Sequence, residues 1–148
     1  MNIIEEIKNK FSRITKLQTG IYNDENRLTH NLSGTVLIEA SHANEIIFNE
    51  NLRWENRNSL LLNSRNVYRW KFTDSGNIKL DHLRFGKDKP VFLVEFTQTG
   101  KDNWTGIEPH DCNKDLYSAK LNIENNNIIL HWTVSGPTEN YTLKTVYS

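Results

Sequence analysis

The sequence predicts an all-β fold built from about nine or ten short antiparallel strands, as in a sandwich or an up-and-down barrel. Segments in which apolar and polar residues alternate recur along all 148 residues, and Gly, Pro, Asn and Asp separate them. A helical pattern occurs only at the N-terminus, which argues against repeated βαβ units. We therefore expect residues 1–148 to form a single β domain, a length that is sufficient for a proper core.

The predicted helix covers residues 2–11. Its apolar residues recur at helical spacing, and charged residues occupy the opposite side. The apolar stripe consists of Ile3, Ile4, Ile7 and Phe11, against Glu5, Glu6, Lys8 and Lys10. In a barrel, a leading helix of this kind would lie across one end and close it. The alternative is a partly ordered terminus.

The middle of the chain predicts several strands, and the alternation of apolar and polar residues is clearer in some of them than in others. Residues 12–18 alternate weakly, and residues 19–33 carry enough Gly, Asn and Asp to predict a loop with a short strand. Strands are then predicted over 34–40, 45–54, 56–64, 67–73, 77–85 and 91–98. In the second of these the alternation breaks near Glu50, which indicates a β-bulge. Residues 100–109 are predicted to be a loop that holds Trp104.

Three clear strands end the chain. They are predicted over 115–124, 128–135 and 140–147. Asn125 to Asn127 indicate a tight hairpin turn, because Asn tolerates positive φ better than most residues. Gly136 and Pro137 end the next strand, because proline has no N–H to donate. Each strand has one mostly apolar face, so the three form an antiparallel meander.

This C-terminal region carries the pattern H-x-C-x-x-D-x-Y, then W-x-V-x-G-P, then Y-x-x-x-T-x-Y. Its residues are His110, Cys112, Asp115, Tyr117, Trp132, Val134, Gly136, Pro137, Tyr141, Thr145 and Tyr147. Looser matches upstream are Arg13, Gly34, Trp54, Tyr68 and Phe72. On these residues the chain resembles, over nearly its whole length, a family of small lipocalin-like (calycin-type) barrel proteins without an assigned activity. The resemblance implies an antiparallel β-barrel of about eight to ten strands with a short N-terminal helix.

Two positions depart from the pattern of that family. A basic residue tends to follow the Gly–Pro pair, where this chain has Thr138 and Glu139, and the family tends to end on Arg, where this chain ends on Ser148. An anion site built from those basic residues is therefore not carried over to this chain.

Composition excludes several classes of partner. Lys + Arg and Asp + Glu both number 18, so no basic excess indicates nucleic-acid binding. The single cysteine excludes an internal disulfide and fits a reducing compartment. No signal-peptide pattern is present, and no stretch approaches the roughly 20 apolar residues of a membrane helix. We expect a cytoplasmic monomer or homodimer with no nucleic-acid or membrane partner.

The segment that holds His110, Cys112, Asp115 and Tyr117 concentrates chemically capable side chains. We predict no metal site there, because H-x-C with a nearby Asp is not a standard zinc spacing. Cys112 could act as a nucleophile with His110 as its base, since residues two apart on an extended segment share a face. The favoured interpretation is structural, with Asp115 capping a turn, His110 bonding the backbone and Cys112 packed as a small hydrophobe. Ligand contact at a barrel mouth is the remaining alternative.

A second group consists of Ile78, Leu80, His82 and Arg84, which share one strand face. If the two apolar residues point inward, His82 and Arg84 do too, and they need partners or a polar ligand there. Arg84 would suit a carboxylate or phosphate. Alternatively, the strand end projects into water, or Arg84 pairs with an internal acid such as Glu95.

Aromatic residues are frequent at the presumed inward positions, which suits either a pocket for an apolar ligand or an ordinary core. They are Trp54, Tyr68, Trp70, Phe72, Tyr117, Trp132, Tyr141 and Tyr147. A haem would need an axial ligand, for which His82, His110 and His131 are candidates. The sequence does not specify a cofactor.

Three functions are compatible with these patterns. The first is a binding barrel for one small, largely apolar ligand with an anionic or hydrogen-bonding group. The residues expected to contact that ligand are His82, Arg84, Tyr68, Trp70, Trp132 and Tyr141. The second is an enzyme, such as an isomerase, cyclase or hydrolase, with His110 as acid/base and Cys112, Asp115 or Tyr117 assisting. The third is a structural or interaction protein with a filled core.

Overall fold

The computed structural model describes residues 3–55, 61–108, 110–112, 115–137 and 140–148. Within these ranges the chain forms one helix and eleven strands, which belong to a single antiparallel sheet. The helix is α1 (Ile3–Ser12). The strands are β1 (Lys16–Asn23), β2 (Leu28–His42), β3 (Glu45–Glu55), β4 (Leu61–Phe72), β5 (Ile78–His82), β6 (Val91–Gly100), β7 (Asn103–Gly106), β8 (His110–Cys112), β9 (Asp115–Glu124), β10 (Asn127–Ser135) and β11 (Asn140–Tyr147).

The sheet closes into a barrel of ten strands. Strands β1 to β7 pair in chain order, β7 pairs with β9, and β9, β10 and β11 complete the ring back to β1. Strand β8 stands outside the ring and pairs with the first residues of β9. Closure gives each ring strand a neighbour on both sides, which removes long exposed edges. The predicted all-β antiparallel barrel with one short N-terminal helix is confirmed.

The N-terminal strands are longer than predicted, and the loop predicted over 19–33 is wrong. Strand β1 continues to Asn23, and β2 begins at Leu28. The turn between them is tight, because the Asn23 side chain accepts hydrogen bonds from the backbone N–H groups of Glu25 and Arg27 at 3.0 and 2.9 Å. Asp24 and Asn26 lie in this turn, whereas Gly20 and Asn31 pair with each other across β1 and β2.

Two further predictions in the middle of the chain are corrected. Residues 61–64 of the first predicted strand and the strand predicted over 67–73 belong to one strand, β4, and residues 56–60 lie outside the described ranges. The loop predicted over 100–109 contains β7, and Trp104 is buried within it. Strand β7 pairs with both β6 and β9, so this short segment forms part of the barrel wall.

The C-terminal meander forms as predicted. Strands β9, β10 and β11 pair in sequence, and only two residues connect β9 to β10. One of them, Asn125, has φ of 57°, which is the left-handed conformation expected of Asn in such a turn. Tyr147, at the end of β11, reaches the barrel core and is buried.

Helix α1 lies at one end of the barrel. The structure describes the helix from Ile3, one residue after the predicted start, because Asn2 lies outside the described ranges, and the helix ends at Ser12. The helix contacts β3 and β10, which are nearly opposite each other in the ring. Phe11 is fully buried, and its ring lies 5.0 to 6.1 Å from those of Phe48, Trp70 and Phe72. Helix and aromatic side chains together fill this end of the lumen.

Candidate functional site

The rest of the lumen is not filled and contains a cavity of about 200 Å³. Leucine side chains from strands all around the ring form much of its wall: Leu32, Leu52, Leu80, Leu130 and Leu143. Polar and aromatic residues complete it: Thr19, Glu50, Asn66, Tyr68, Trp70, Trp132, Thr145 and Tyr147. Trp70 and Tyr147 also contact Phe48 in the aromatic cluster under the helix, so they mark the closed end of this cavity.

A hydrogen bond between two buried residues joins the strands at this closed end. The Tyr147 hydroxyl donates to Glu50 Oε2 at 2.6 Å, and both side chains are almost completely shielded from solvent. A buried carboxyl group is costly unless it is hydrogen-bonded. The cavity therefore has one strongly polar pole inside an otherwise largely apolar wall.

The position of Glu50 follows from the unbroken register of β3. Val36 on β2 and Asn66 on β4 pair with Glu50, and neither ladder shifts there. The β-bulge predicted near Glu50 is therefore wrong. Glu50 has the same parity as the buried residues Phe48 and Leu52, so its side chain enters the lumen with theirs. The uninterrupted alternation was the signal that could have identified this residue from the sequence.

The environment changes the acid–base properties of this pole. Burial raises the pKa of the Glu50 carboxyl to about 7, and the hydrogen bond from Tyr147 opposes that rise. Burial and the charge of Glu50 both raise the pKa of the Tyr68 phenol, against the smaller opposite effect of Arg84. Burial and, after it, the charge of Glu50 also raise the pKa of Tyr147. Near neutral pH the pole thus contains two neutral phenols and a carboxyl group that is partly protonated.

Two more polar features line the same cavity. The hydroxyl oxygens of Thr19 and Thr145 lie 2.8 Å apart, because the two residues pair directly across β1 and β11. The indole nitrogen Nε1 of Trp70 is buried and has no hydrogen-bond partner among the described residues. A buried donor without a partner is uncommon in folded proteins. Trp104 is also buried with an unpartnered N–H and does not line this cavity, so the Trp70 donor by itself does not indicate a ligand.

A wider cavity of about 450 Å³ continues from this one towards solvent and shares Tyr68, Trp132 and Leu143 with it. His82 and Tyr117 add two further rings to its wall. The ring of His82 meets that of Tyr68 edge-on at 4.9 Å, and the ring of Tyr117 meets that of Trp132 at 6.3 Å. Aromatic edges thus surround the mouth of the lumen.

His82 and Arg84 are placed differently from each other. His82 ends β5 and is half-buried, and its Nδ1 has no partner among the described residues. Burial lowers the pKa of His82, and the nearby positive charge of Arg84 lowers it further. Arg84 follows the strand and is exposed at the mouth, with its guanidinium 5.8 Å from the centre of the Phe85 ring. Because β5 ends at His82, Arg84 follows the alternative in which the strand end projects towards water, and its contact with a ligand stays a prediction.

The proposed pairing of Arg84 with Glu95 is also not observed. Glu95 instead accepts a hydrogen bond from the Asn77 side chain at 2.7 Å and lies 3.8 Å from the Lys79 ammonium. Arg84 does line the outer cavity. Its charge is therefore available at the entrance and not at the closed end.

Tyr141 and His131 lie away from the central cavity. Tyr141 lines a separate depression at the rim, together with residues of β1 and the start of β2. This depression and the central cavity share Ile21 and Leu143. His131 lies on the outer face of β10, beside Lys120 and Ser118, because its neighbours in sequence point into the lumen. This placement excludes His131 as an axial ligand to a haem in the lumen.

The segment predicted as a chemical centre forms a short hairpin of β8 and β9. His110 pairs with Tyr117, and Cys112 pairs with Asp115. The side chains of His110 and Cys112 lie outside what the structure describes, so their proposed roles stay predictions. Asp115 packs against Gly136, where an added Cβ would overlap its carboxylate. Of this group, Tyr117 is the residue that the structure places in the wall of the outer cavity.

Among the described residues, no group of three or more His, Cys, Asp or Glu side chains is arranged to hold a metal ion. The helix that the structure describes is too short to cross a lipid bilayer.

Residues 13–148 match the family of unknown function DUF6314. The chain belongs to this family. No curated protein matches the sequence.

Proposed function

We propose that this DUF6314 protein binds one small, largely apolar molecule in the lumen of its barrel. The observation that carries the proposal is the central cavity: its walls are mainly leucine and aromatic side chains, and its few polar groups converge on the closed end. Binding sites for small molecules have this composition, in which apolar walls supply affinity and a few polar groups fix orientation.

The helix and the mouth support this function. Helix α1 closes one end, so a ligand would enter past Tyr117, Trp132 and His82. These rings present apolar surface to an entering molecule, and Arg84 adds a positive charge outside them. The space beneath this aromatic mouth continues into the central cavity, since the two cavities share Tyr68, Trp132 and Leu143.

A titration of 1-octanol by isothermal calorimetry tests the proposal. Burial of an alkyl chain contributes about 0.8 kcal/mol per methylene, so a dissociation constant on the order of 0.1 mM is expected after the cost of association. Leu143→Trp places an indole where the two cavities meet and should weaken binding by at least about tenfold. Leu37→Trp is the matched control, because Leu37 is 71% exposed on the outside of β2.

Binding by the wild type and by Leu37→Trp, with loss in Leu143→Trp, supports a lumenal site. Equal binding by both variants would place the octanol on the surface and overturn the proposal, and so would the absence of binding to the wild type. Cytoplasmic localisation, and a monomer or homodimer without nucleic-acid or membrane partners, stay predictions from composition.

A further inference from the structure

We propose that the bound molecule is an amphiphilic primary amine, whose ammonium head pairs with Glu50 inside the lumen and whose apolar chain extends towards the mouth. This inference rests on the proposed function and names the class of ligand. It differs from the expectation of an anionic head, which the sequence alone suggested through Arg84.

The first argument is that Glu50 lies in the lumen without a countercharge. It is 3% exposed, and the other described residues in the wall of the central cavity are all neutral. Its Oε2 accepts the hydrogen bond from Tyr147, whereas Oε1 has no partner among the described residues and is not fully shielded, because it meets the cavity. A buried carboxylate is costly when no cation pairs with it. A cationic ligand would supply that cation.

The second argument is that further acceptors lie beside this carboxyl group. Asn66 pairs with Glu50 directly across β3 and β4, so the two side chains enter the lumen on the same face, with their Cβ atoms about 5 Å apart. The hydroxyl groups of Thr19 and Thr145 line the same cavity. A primary ammonium has three N–H donors and no acceptor, and these side chains offer it carboxyl, amide and hydroxyl oxygens.

The third argument concerns the walls between this pole and the mouth. The half-buried rings of Tyr68 and Trp132 line both the central and the outer cavity, and Leu143 accompanies them. Aromatic faces attract cations, and aromatic and leucine side chains also pack against an alkyl chain. An amine would therefore be favoured along the path that its head follows, and its chain would lie against the same rings once the head reaches Glu50.

Other head groups match this pole less well. A carboxylate would bring a second negative charge to the buried site that already holds Glu50. A hydroxyl could donate to Glu50, but it would leave the charge of the carboxylate unpaired. Arg84 opposes a cation only at the entrance, since it is exposed, lines the outer cavity alone, and has its charge screened by water and salt.

The acid–base properties of Glu50 support the same class of ligand. Burial raises the pKa of its carboxyl from 4.5 to about 7, and among the described residues only the hydrogen bond from Tyr147 opposes the rise. An ionised Glu50 thus costs the folded protein stability near neutral pH. A group that costs stability inside a cavity is typical of functional sites. Because the fold has already removed Glu50 from water, only the ammonium loses hydration on binding.

The first test compares three ligands that share one alkyl chain: octylammonium, 1-octanol and octanoate, each titrated calorimetrically at pH 8. We expect octylammonium to bind at least about tenfold more tightly than octanol, and octanoate to bind most weakly. Glu50→Gln keeps the size of the side chain but removes its charge, so it should weaken octylammonium binding at least about tenfold and leave octanol binding within about threefold. Glu25→Gln is the matched control, because it removes an exposed negative charge and should change neither.

The second test measures the protons released on binding. Glu50 faces Tyr68 on β4 and Tyr147 on β11, and both phenols stay neutral because their pKa values are raised. An alkylammonium, like lysine, keeps its charge below a pH of about 10. At pH 6 most Glu50 carboxyls are protonated, so octylammonium should release close to one proton and bind about tenfold more weakly than at pH 8. Calorimetry in buffers of different ionisation enthalpy measures this release. Glu50→Gln keeps His82 and Arg84 at the mouth and should lose the release.

The outcomes separate the two proposals. If octanol binds but octylammonium binds no more tightly, or if Glu50→Gln leaves octylammonium binding and its proton release unchanged, the ammonium head is refuted while lumenal binding stands. If none of the three ligands binds the wild type, the proposed function itself fails and the inference fails with it.

Discussion

The Tyr147 hydroxyl donates a 2.6 Å hydrogen bond to Glu50 across 97 positions of sequence, and both side chains are buried. The bond connects the last strand of the barrel to β3, on the other side of β1 and β2. It fixes the polar end of an otherwise apolar cavity. Glu50 is therefore the residue whose titration and replacement report most directly on the lumen.

We predict that Glu50 makes the protein less stable as the pH rises from about 4.5 to about 7. Its pKa is about 7 in the folded protein and 4.5 in the reference state. In this window the unfolded chain loses the proton while the folded chain keeps it, so the free energy of unfolding decreases with pH by about 3 kcal/mol. Below pH 4.5 the effect is absent, and above pH 7 it is constant.

Urea unfolding at several pH values checks this prediction against Glu50→Gln. Other acidic groups titrate in both proteins, so the difference in stability between the wild type and Glu50→Gln isolates the residue. As the pH rises from 4.5 to 7, the free energy of unfolding of the wild type should fall relative to that of Glu50→Gln. A difference independent of pH would show that Glu50 titrates normally and is not buried.

Replacement of Phe11 tests the closure of the barrel by helix α1. Phe11→Ala should lower the free energy of unfolding by about 3–5 kcal/mol, because it leaves a cavity among packed aromatic rings. Phe85→Ala is the control, since Phe85 is 66% exposed, and it should change stability by less than about 0.5 kcal/mol. Similar small effects of both variants in chemical denaturation would mean that the helix does not plug the lumen.

The outer face of the barrel holds a second testable contact. Arg69 Nη2 lies 3.1 Å from Asp81 Oδ2, and the two side chains are only 12% and 8% exposed. Lys71 lies 3.6 Å from the same oxygen. Asp81→Asn removes the countercharge of a shielded guanidinium and should cost about 3 kcal/mol.

Glu25→Gln is the control for this prediction, because it breaks an ion pair with Arg27 in which both side chains are exposed. It should have no measurable effect on the midpoint of thermal unfolding. The account of Asp81 is wrong if Asp81→Asn also leaves the midpoint of thermal unfolding unchanged.

The contact between Gly136 and Asp115 gives a prediction for the hairpin that β8 and β9 form. A Cβ at position 136 would overlap the Asp115 carboxylate, so Gly136→Ala should destabilise the protein by roughly 1–3 kcal/mol. Asp115→Ala should relieve the overlap, and the double variant should recover most of the loss. Additive effects in this double-mutant cycle would refute a direct contact.

Most of the fold could be predicted because alternation and turn residues are local signals. The C-terminal meander is the clearest case, since Asn125 marks its turn and the strand faces alternate without interruption. Gly20 and Asn31 gave the opposite result. Their residue types predict a loop, but the two residues pair with each other across β1 and β2, because closure of the barrel overrides the local preference.

The site was less predictable than the fold. The parity of their strands places Tyr68, Trp70, Trp132 and His82 in the walls of the two cavities, and their contact with a ligand stays a prediction. The exposure of Arg84 could not be predicted, because the end of β5 carries no strong local signal. The alternation of β3 indicates that Glu50 points inward, but its partner Tyr147 could not be predicted, because only the closed barrel brings the two residues together.

The most direct test of lumenal binding is the measurement of intermolecular NOEs between 1-octanol and methyl-labelled protein. The account predicts NOEs from the alkyl chain to Leu130 and Leu143, none to the exposed Leu37, and loss of the NOEs to Leu130 in Leu143→Trp. NOEs confined to surface methyl groups such as Leu37, or unchanged in Leu143→Trp, would contradict the central claim that the barrel holds its ligand inside.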